Sequence, residues 1–278
     1  MGFALAADAD RRCAGVWRAG RQLPCPYRSA LAPGARRDQC EPCAALDRSA
    51  SVAADTAPDD PRPYAVYLAS FGPGLHKVGI TGLARGGLRL REQAAVGSAF
   101  LGEGPLMAAR RTEAVLGAAL GLPDRVRDTA KRAARHRLPP PADRLRDLEK
   151  LHVEVTALRD RLPDALRLRP FSYDDHTGAY GLDADPPPAA PATEVTALAP
   201  GGAITGTAAV VAGHDVVVAT PSGPVLLDAR LTCGWPLRRA PAAPGEAGAE
   251  PGAEPVTKVE PFPTAPVPHA EPPPPSLF

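Results

Sequence analysis

Large aromatic side chains are scarce in this sequence: two tryptophans, five tyrosines and six phenylalanines amount to 5% of its 278 residues. So thin a supply, beside 35 prolines, excludes one compact globule around a single large core and points to several small folded units with linkers between them. A strong charge of either sign is missing too, since the formal net charge is +1. No apolar run approaches the roughly 20 residues needed to cross a bilayer as a helix. The opening "MGFALAADADRRC" lacks a basic segment ahead of an apolar one, so a secretory signal is not expected. Ala6 stands where a myristoylation signal has Ser or Thr. The expectation is a cytoplasmic protein with reduced thiols.

Cysteine is absent from residue 44 to residue 232, yet Cys13, Cys25, Cys40 and Cys43 fall in the first fifty residues and two of them form "CEPC". In a reducing compartment this clustering reads as a tetrahedral zinc site, because a C-x-x-C pair turns both sulfurs onto one ion within a tight loop. Four thiolates leave no open coordination position, so the role is structural. A redox C-x-x-C and ordinary small buried residues are the competing readings, and a second C-x-x-C is not present.

Charge is unevenly spread. Between Tyr64 and Leu138 twelve lysines and arginines stand against five acidic residues, while the stretch 139–190 and the carboxy-terminal tail lean acidic. A basic middle is compatible with a nucleic-acid partner and equally with a solvated face.

Residues 1–50 read as a four-cysteine zinc-binding module and 51–63 as a linker rich in Ala, Asp and Pro. In "AVYLASFGPGLHKVGIT" two β-like runs flank a Gly-Pro-Gly turn, which predicts an antiparallel hairpin over 64–81. A helix candidate at 88–95, a short apolar run at 100–107 and a helix candidate at 108–120 follow, making 64–122 a compact α+β core. A helical extension is expected over 123–170, where Leu145, Leu148, Leu151, Val155, Leu158 and Leu162 mark one apolar stripe. Residues 171–202 read as loop and linker, with "PPPAAPA" as a joint, and 203–238 as a small antiparallel β unit. The Pro-, Ala- and Glu-rich segment 239–278 is expected to be disordered.

The core carries an ordered set of chemical groups. "VYLA" is followed by "KVGIT", an arginine on the next helix (Arg89, in "RLREQ") and a glutamate on a later one (Glu113, in "RRTEAVL"). This order resembles the GIY-YIG nuclease superfamily over roughly Tyr64–Leu120. With the cysteine-bearing amino terminus and the small carboxy-terminal β unit, most of the chain is similar to a bacterial family known only as a domain of unknown function.

The resemblance implies an α+β fold with a three-stranded antiparallel sheet and helices, and a nucleic-acid partner, DNA or RNA. It matches Tyr67 to the tyrosine of the first motif, Gly79 to the glycine of the second, Arg89 to the helix arginine and Glu113 to the glutamate that binds Mg²⁺ in active members. Lys77 stands where the second motif usually has tyrosine, as in relatives with a K-I-G form. No counterpart is found for the asparagine that some active members carry after the glutamate.

Phosphodiester cleavage needs a deprotonated oxygen nucleophile and stabilised charge on the phosphorane. Arg89 is expected to clamp phosphate, Glu113 to hold the metal, Tyr67 with Lys77 to orient or deprotonate the attacking water, and Gly79 to let a phosphate come close. Structural readings of the same residues are a half-buried aromatic at 67, solvated helix charges at 89 and 113 and a bulge at 79. Asp174, Asp175 and His176 in "YDDHTG" read as a polar turn. A non-catalytic nucleic-acid-binding or scaffold protein is the alternative function.

Overall fold

The computed structural model describes residues 2–18, 21–35, 37–47, 60–240 and 260–268. In chain order these begin with strands β1 (Gly2–Ala4), β2 (Val16–Arg18) and β3 (Arg21–Leu23), then helix α1 (Glu41–Leu46). Next come β4 (Tyr64–Ser70), β5 (His76–Gly82), α2 (Gly86–Glu92), β6 (Gly97–Gly104), α3 (Leu106–Leu120), α4 (Asp128–Arg135) and α5 (Pro141–Ala157). Short elements follow: β7 (Arg167–Leu168), β8 (Asp174–Asp175), α6 (Thr177–Tyr180) and β9 (Thr193–Val195). The last are β10 (Gly202–Thr205), β11 (Thr207–Ala212), β12 (Asp215–Thr220), β13 (Gly223–Asp228), β14 (Arg238–Arg239), β15 (Glu260–Pro261) and β16 (Thr264–Pro266). No helix among the described residues is long and apolar enough to cross a membrane.

The chain divides into two compact units, one made of 1–55 with 190–267 and the other of 56–189 with 268–278. The first therefore joins segments that the sequence reading kept apart. β1 lies antiparallel to β10, with Phe3 opposite Ile204, and also pairs β14. Leu5, Leu198, Ile204, Val218, Leu227, Trp235 and Phe262 form its core.

Expected disorder over 239–278 is corrected at 260–266. Here β15 pairs β10 and β16 pairs β9, and Phe262 is 4% exposed. The prolines flanking Phe262 are tolerated because these strands lie at sheet edges, where a missing N–H costs no ladder bond. One aromatic ring anchors a segment whose composition otherwise hides it. Residues 241–259 and 269–278 lie outside the described residues, as does 51–59 of the expected linker.

In the second unit the "GPG" turn joins β4 and β5 into the expected hairpin, with Tyr67 opposite Gly79 and Ala69 opposite Lys77. β4 is central in the order β5-β4-β6-β7, and every residue from Tyr64 to Ser70 is buried. A strand covered on both faces needs apolar residues at all positions rather than at alternate ones, which "YAVYLAS" nearly supplies. Helix α3 stops at Gly121, whose φ of +62° is the left-handed cap that glycine adopts without strain. Helix α5 starts with Pro141 in its first turn and buries Leu148 and Val155, seven residues apart on one face. Residues 171–202, read as loop and linker, carry β8, α6 and β9, and Tyr180 of α6 is buried with its hydroxyl donating to the Ala95 carbonyl at 2.9 Å.

Candidate functional site

Strand alternation puts Tyr67, Ala69 and Phe71 on one face of β4, where they pack with Leu90 of α2 and with Ala95. Opposite Tyr67 sits Gly79, which is also buried. A Cβ built there would lie 2.5 Å from the Tyr67 hydroxyl oxygen and 2.6 Å from Cζ. The ring of Tyr67 thus occupies the space a side chain at 79 would take. Gly79 thereby admits the tyrosine ring, a use that the sequence reading did not give it.

Gln93 follows α2 directly and binds two of the sequence-expected residues. Its Nε2 donates to the Tyr67 hydroxyl at 2.9 Å, and its Oε1 accepts from Lys77 Nζ at 3.0 Å. Lys77 Nζ also donates to the Asp124 carbonyl at 3.2 Å. From α4, Lys131 Nζ donates to the Gln93 carbonyl at 3.2 Å and stands 4.7 Å from the centroid of Phe71. Gln93 escaped the sequence reading, although its position four residues after Arg89 puts both on one helix face.

The charges of the expected residues reach one another. Burial raises the Tyr67 hydroxyl above the usual tyrosine range; Gln93 and Arg89 oppose the shift and Glu113 adds to it. Burial pulls Lys77 down, against the attraction of Glu113 and with the repulsion of Arg89 and Lys131. Burial lifts the Glu113 carboxyl, opposed by Lys77 and reinforced by Asp124. Tyr67, Lys77, Arg89 and Glu113 are therefore brought into one electrostatic neighbourhood by β4, β5, α2 and α3. Arg89 is the open member, its side chain 37% exposed and 3.6 Å from Glu92.

The residues of "YDDHTG" serve the fold. Asp175 accepts from the Thr177 backbone N–H at 2.9 Å and pairs with Arg144 at 2.6 Å, while His176 Nε2 lies 2.9 Å from Ser98 Oγ. These contacts turn Asp175 and His176 to separate partners.

The four cysteines of the first unit converge. Their sulfurs all lie within 4.8 Å of one another, and Cys25 Sγ is 3.8 Å from Cys40 Sγ. A tetrahedron with metal–sulfur bonds of about 2.3 Å has edges of about 3.8 Å, so the donor set fits an ion such as zinc. The local chain is shaped for it. Cys13 leaves the loop before β2, Cys25 follows β3, and Cys40 and Cys43 sit at the start of α1.

Backbone N–H groups of Cys40 and Gly15 donate to Cys13 Sγ at 3.2 and 3.4 Å. Those of Ser29 and Tyr27 bring the Cys25 thiol down to about 6, favouring the thiolate that binds metal. Burial pushes the Cys43 thiol up. Gly15, at φ +82°, is required for the loop, since a Cβ there would be 2.0 Å from the Leu23 carbonyl oxygen.

Comparison with curated proteins and with solved structures finds no match. Residues 4–237 span the four cysteines, the Tyr67 cluster and the carboxy-terminal strands through β13, and over them the chain matches and belongs to the family described as "Protein of unknown function (DUF2797)".

Proposed function

We propose that the protein binds nucleic acid at the Tyr67–Lys77–Arg89–Glu113 cluster of a GIY-YIG-like core and cleaves a phosphodiester there with Mg²⁺. The observation that carries this reading is the gathering of Tyr67, Lys77, Arg89 and Glu113, from two strands and two helices, into one electrostatic neighbourhood, with Gln93 joining the Tyr67 hydroxyl to Lys77. Burying such groups together is unfavourable unless they are paired or used, and a core of this size has apolar alternatives. The antiparallel order β5-β4-β6 followed by α3 supports the same reading.

Roles follow from the contacts. Gln93 fills an acceptor position on the Tyr67 oxygen, and burial keeps that hydroxyl protonated. Tyr67 then donates its proton outward and orients the attacking water or a phosphate oxygen; it does not act as the base. Arg89, partly open to solvent, binds phosphate through its planar fork. Glu113, with the charge of Asp124 nearby, is the carboxylate that would hold Mg²⁺, an ion that takes one or two carboxylates and otherwise water and phosphate. When bound, the ion supplies charge neutralisation at the phosphorane.

A second reading is favoured by a different observation. Trp17 is 53% and Tyr27 72% exposed in the four-cysteine module, and exposed rings of this kind are stacking surfaces for unpaired bases. In that reading the protein is a non-catalytic, zinc-bearing nucleic-acid-binding or scaffold protein. Its contacts come from the module and the basic stretch 125–137, and the Tyr67 cluster is degenerate.

Labelled structured and single-stranded DNA and RNA, incubated with the full chain with and without Mg²⁺, separate the two. Cuts that require Mg²⁺ and vanish in Glu113→Ala support cleavage. Salt-sensitive binding without cuts supports the second reading, and no binding to any substrate refutes both.

A further inference from the structure

A cavity of about 710 Å³ in the second unit lies apart from Tyr67, Lys77, Arg89 and Glu113, none of which lines it. Its walls come from the end of α4 and the chain after it, the start of α5, and the segment from Asp175 to Pro188. Its volume is that of a pocket for a small organic ligand.

Two arginines lining it are almost wholly buried. Arg135 is 5% exposed, and the side chain of Arg144 is 9% exposed. Arg144 is held across the wall by Asp175 at 2.6 Å, the Thr177 hydroxyl at 3.2 Å and the Pro139 carbonyl at 2.8 Å. Its Nε is buried with no hydrogen-bond partner. Arg137 and His136 stand beside Arg135 on the same lining. Against these cations the lining sets Asp175, already engaged by Arg144, and Asp183. The cavity therefore carries one net positive charge, and two when His136 is protonated. The rest of the lining is largely apolar and proline-rich: Leu138, Pro139, Pro140, Leu182, Pro187 and Pro188.

We propose that this cavity binds a small phosphate monoester carried on a flat or apolar body, the class to which mononucleotides belong. A phosphate monoester carries close to two negative charges at neutral pH, which matches the lining with His136 protonated, whereas a single carboxylate does not. Guanidinium groups suit its oxygens. The proline and leucine faces accept the body. The site does not depend on the reading of the Tyr67 cluster.

The free-state protonation of His136 supplies a readout. Burial, aided by the charge of Arg135, lowers its titration below the ordinary histidine value. Arg135 and Arg137 flank it, with Arg144, Asp175 and Asp183 on the other walls. A bound dianion reverses the balance and raises it.

The test titrates the full-length protein with adenosine 5′-monophosphate, adenosine and inorganic phosphate, by calorimetry and by NMR of the His136 ring. The expected result is that the monophosphate binds at least tenfold tighter than either half and shifts the His136 midpoint upward. Arg137→Glu, at an exposed position, is expected to weaken binding at least tenfold with an unchanged urea midpoint; Arg135→Gln should do the same with unchanged circular dichroism. Arg89→Ala is expected to leave binding as it was. A 5′-phosphorylated oligonucleotide that displaces the monophosphate and gives the same His136 shift identifies a strand end as the source of the phosphate. The proposal is overturned if adenosine binds as tightly as its monophosphate, if His136 does not move, or if binding survives Arg137→Glu and is lost in Arg89→Ala.

Discussion

The ring of Tyr67 lies across Gly79, so close that a methyl group at position 79 would sit 2.5 Å from the hydroxyl oxygen. The two residues are cross-strand partners in the hairpin, and the space at one is the seat of the other. Gly79→Ala is expected to displace the ring, break the Gln93 hydrogen bond and cost about 1–3 kcal/mol of stability. Tyr67→Phe keeps the ring seated and loses only the hydroxyl, at about 1 kcal/mol. Urea unfolding followed by NMR signals of β4 checks both, and equal midpoints for Gly79→Ala and wild type would contradict the seating.

Metal content tests the cysteine cluster. Both tryptophans, Trp17 and Trp235, belong to the first unit, so tryptophan fluorescence reports on that unit alone. Freshly purified protein is expected to contain close to one zinc ion per chain. Stripping it with a chelator removes a contribution on the order of 10 kcal/mol and shifts the fluorescence unfolding transition to lower denaturant, and Cys43→Ser does the same. A metal content near zero in fresh material would contradict the assignment.

The same fluorescence follows Phe262→Ala. The ring lies 5.6 Å from that of Phe3 and covers Gly202, where a Cβ would come within 2.5 Å of it. Truncating it is expected to cost about 3–5 kcal/mol, the range for emptying a buried aromatic site. A change below 1 kcal/mol would mean that 260–266 does not belong to this core.

Protonation links stability of the second unit to pH. Burial lowers the titration of His76, His136 and His176 below 6.5. The unfolded chain therefore holds protons that the folded chain has released. Their contribution is complete above about 6.5 and is lost as pH falls through the lowered folded values. Glu113 acts in the opposite direction, because its raised value makes the folded state the better proton binder above 4.5, so stability falls as pH rises through that window. Unfolding midpoints of the second unit between pH 4.5 and 7.5 should rise with pH, and Glu113→Gln should make the rise steeper. A flat profile in both proteins would contradict this.

Much of the second unit was legible in the sequence because its contacts are local. β-Like runs on both sides of "GPG" mark the hairpin, and the order Tyr67, Lys77, Gly79, Arg89, Glu113 follows the order of its elements. Gln93 was not read because its importance lies in joining Tyr67 to Lys77, a relation that exists only once α2 has packed on the sheet. The first unit was harder for a physical reason. Phe3 pairs with Ile204, and Phe262 fills a core built from both chain ends. Such pairings close loops of about 200 residues, and no local periodicity records them. The four cysteines were readable because sulfur chemistry, unlike packing, is carried by residue type.

The central claim is that the Tyr67 cluster grips a sugar-phosphate linkage. The salt dependence of nucleic-acid binding in wild type and Arg89→Ala tests it most directly. With the phosphate on Arg89, log K falls with log salt in both proteins, and the substitution lowers affinity and reduces the slope by about one unit. Unchanged affinity and an unchanged slope in Arg89→Ala would place the nucleic acid elsewhere on the protein and contradict the account.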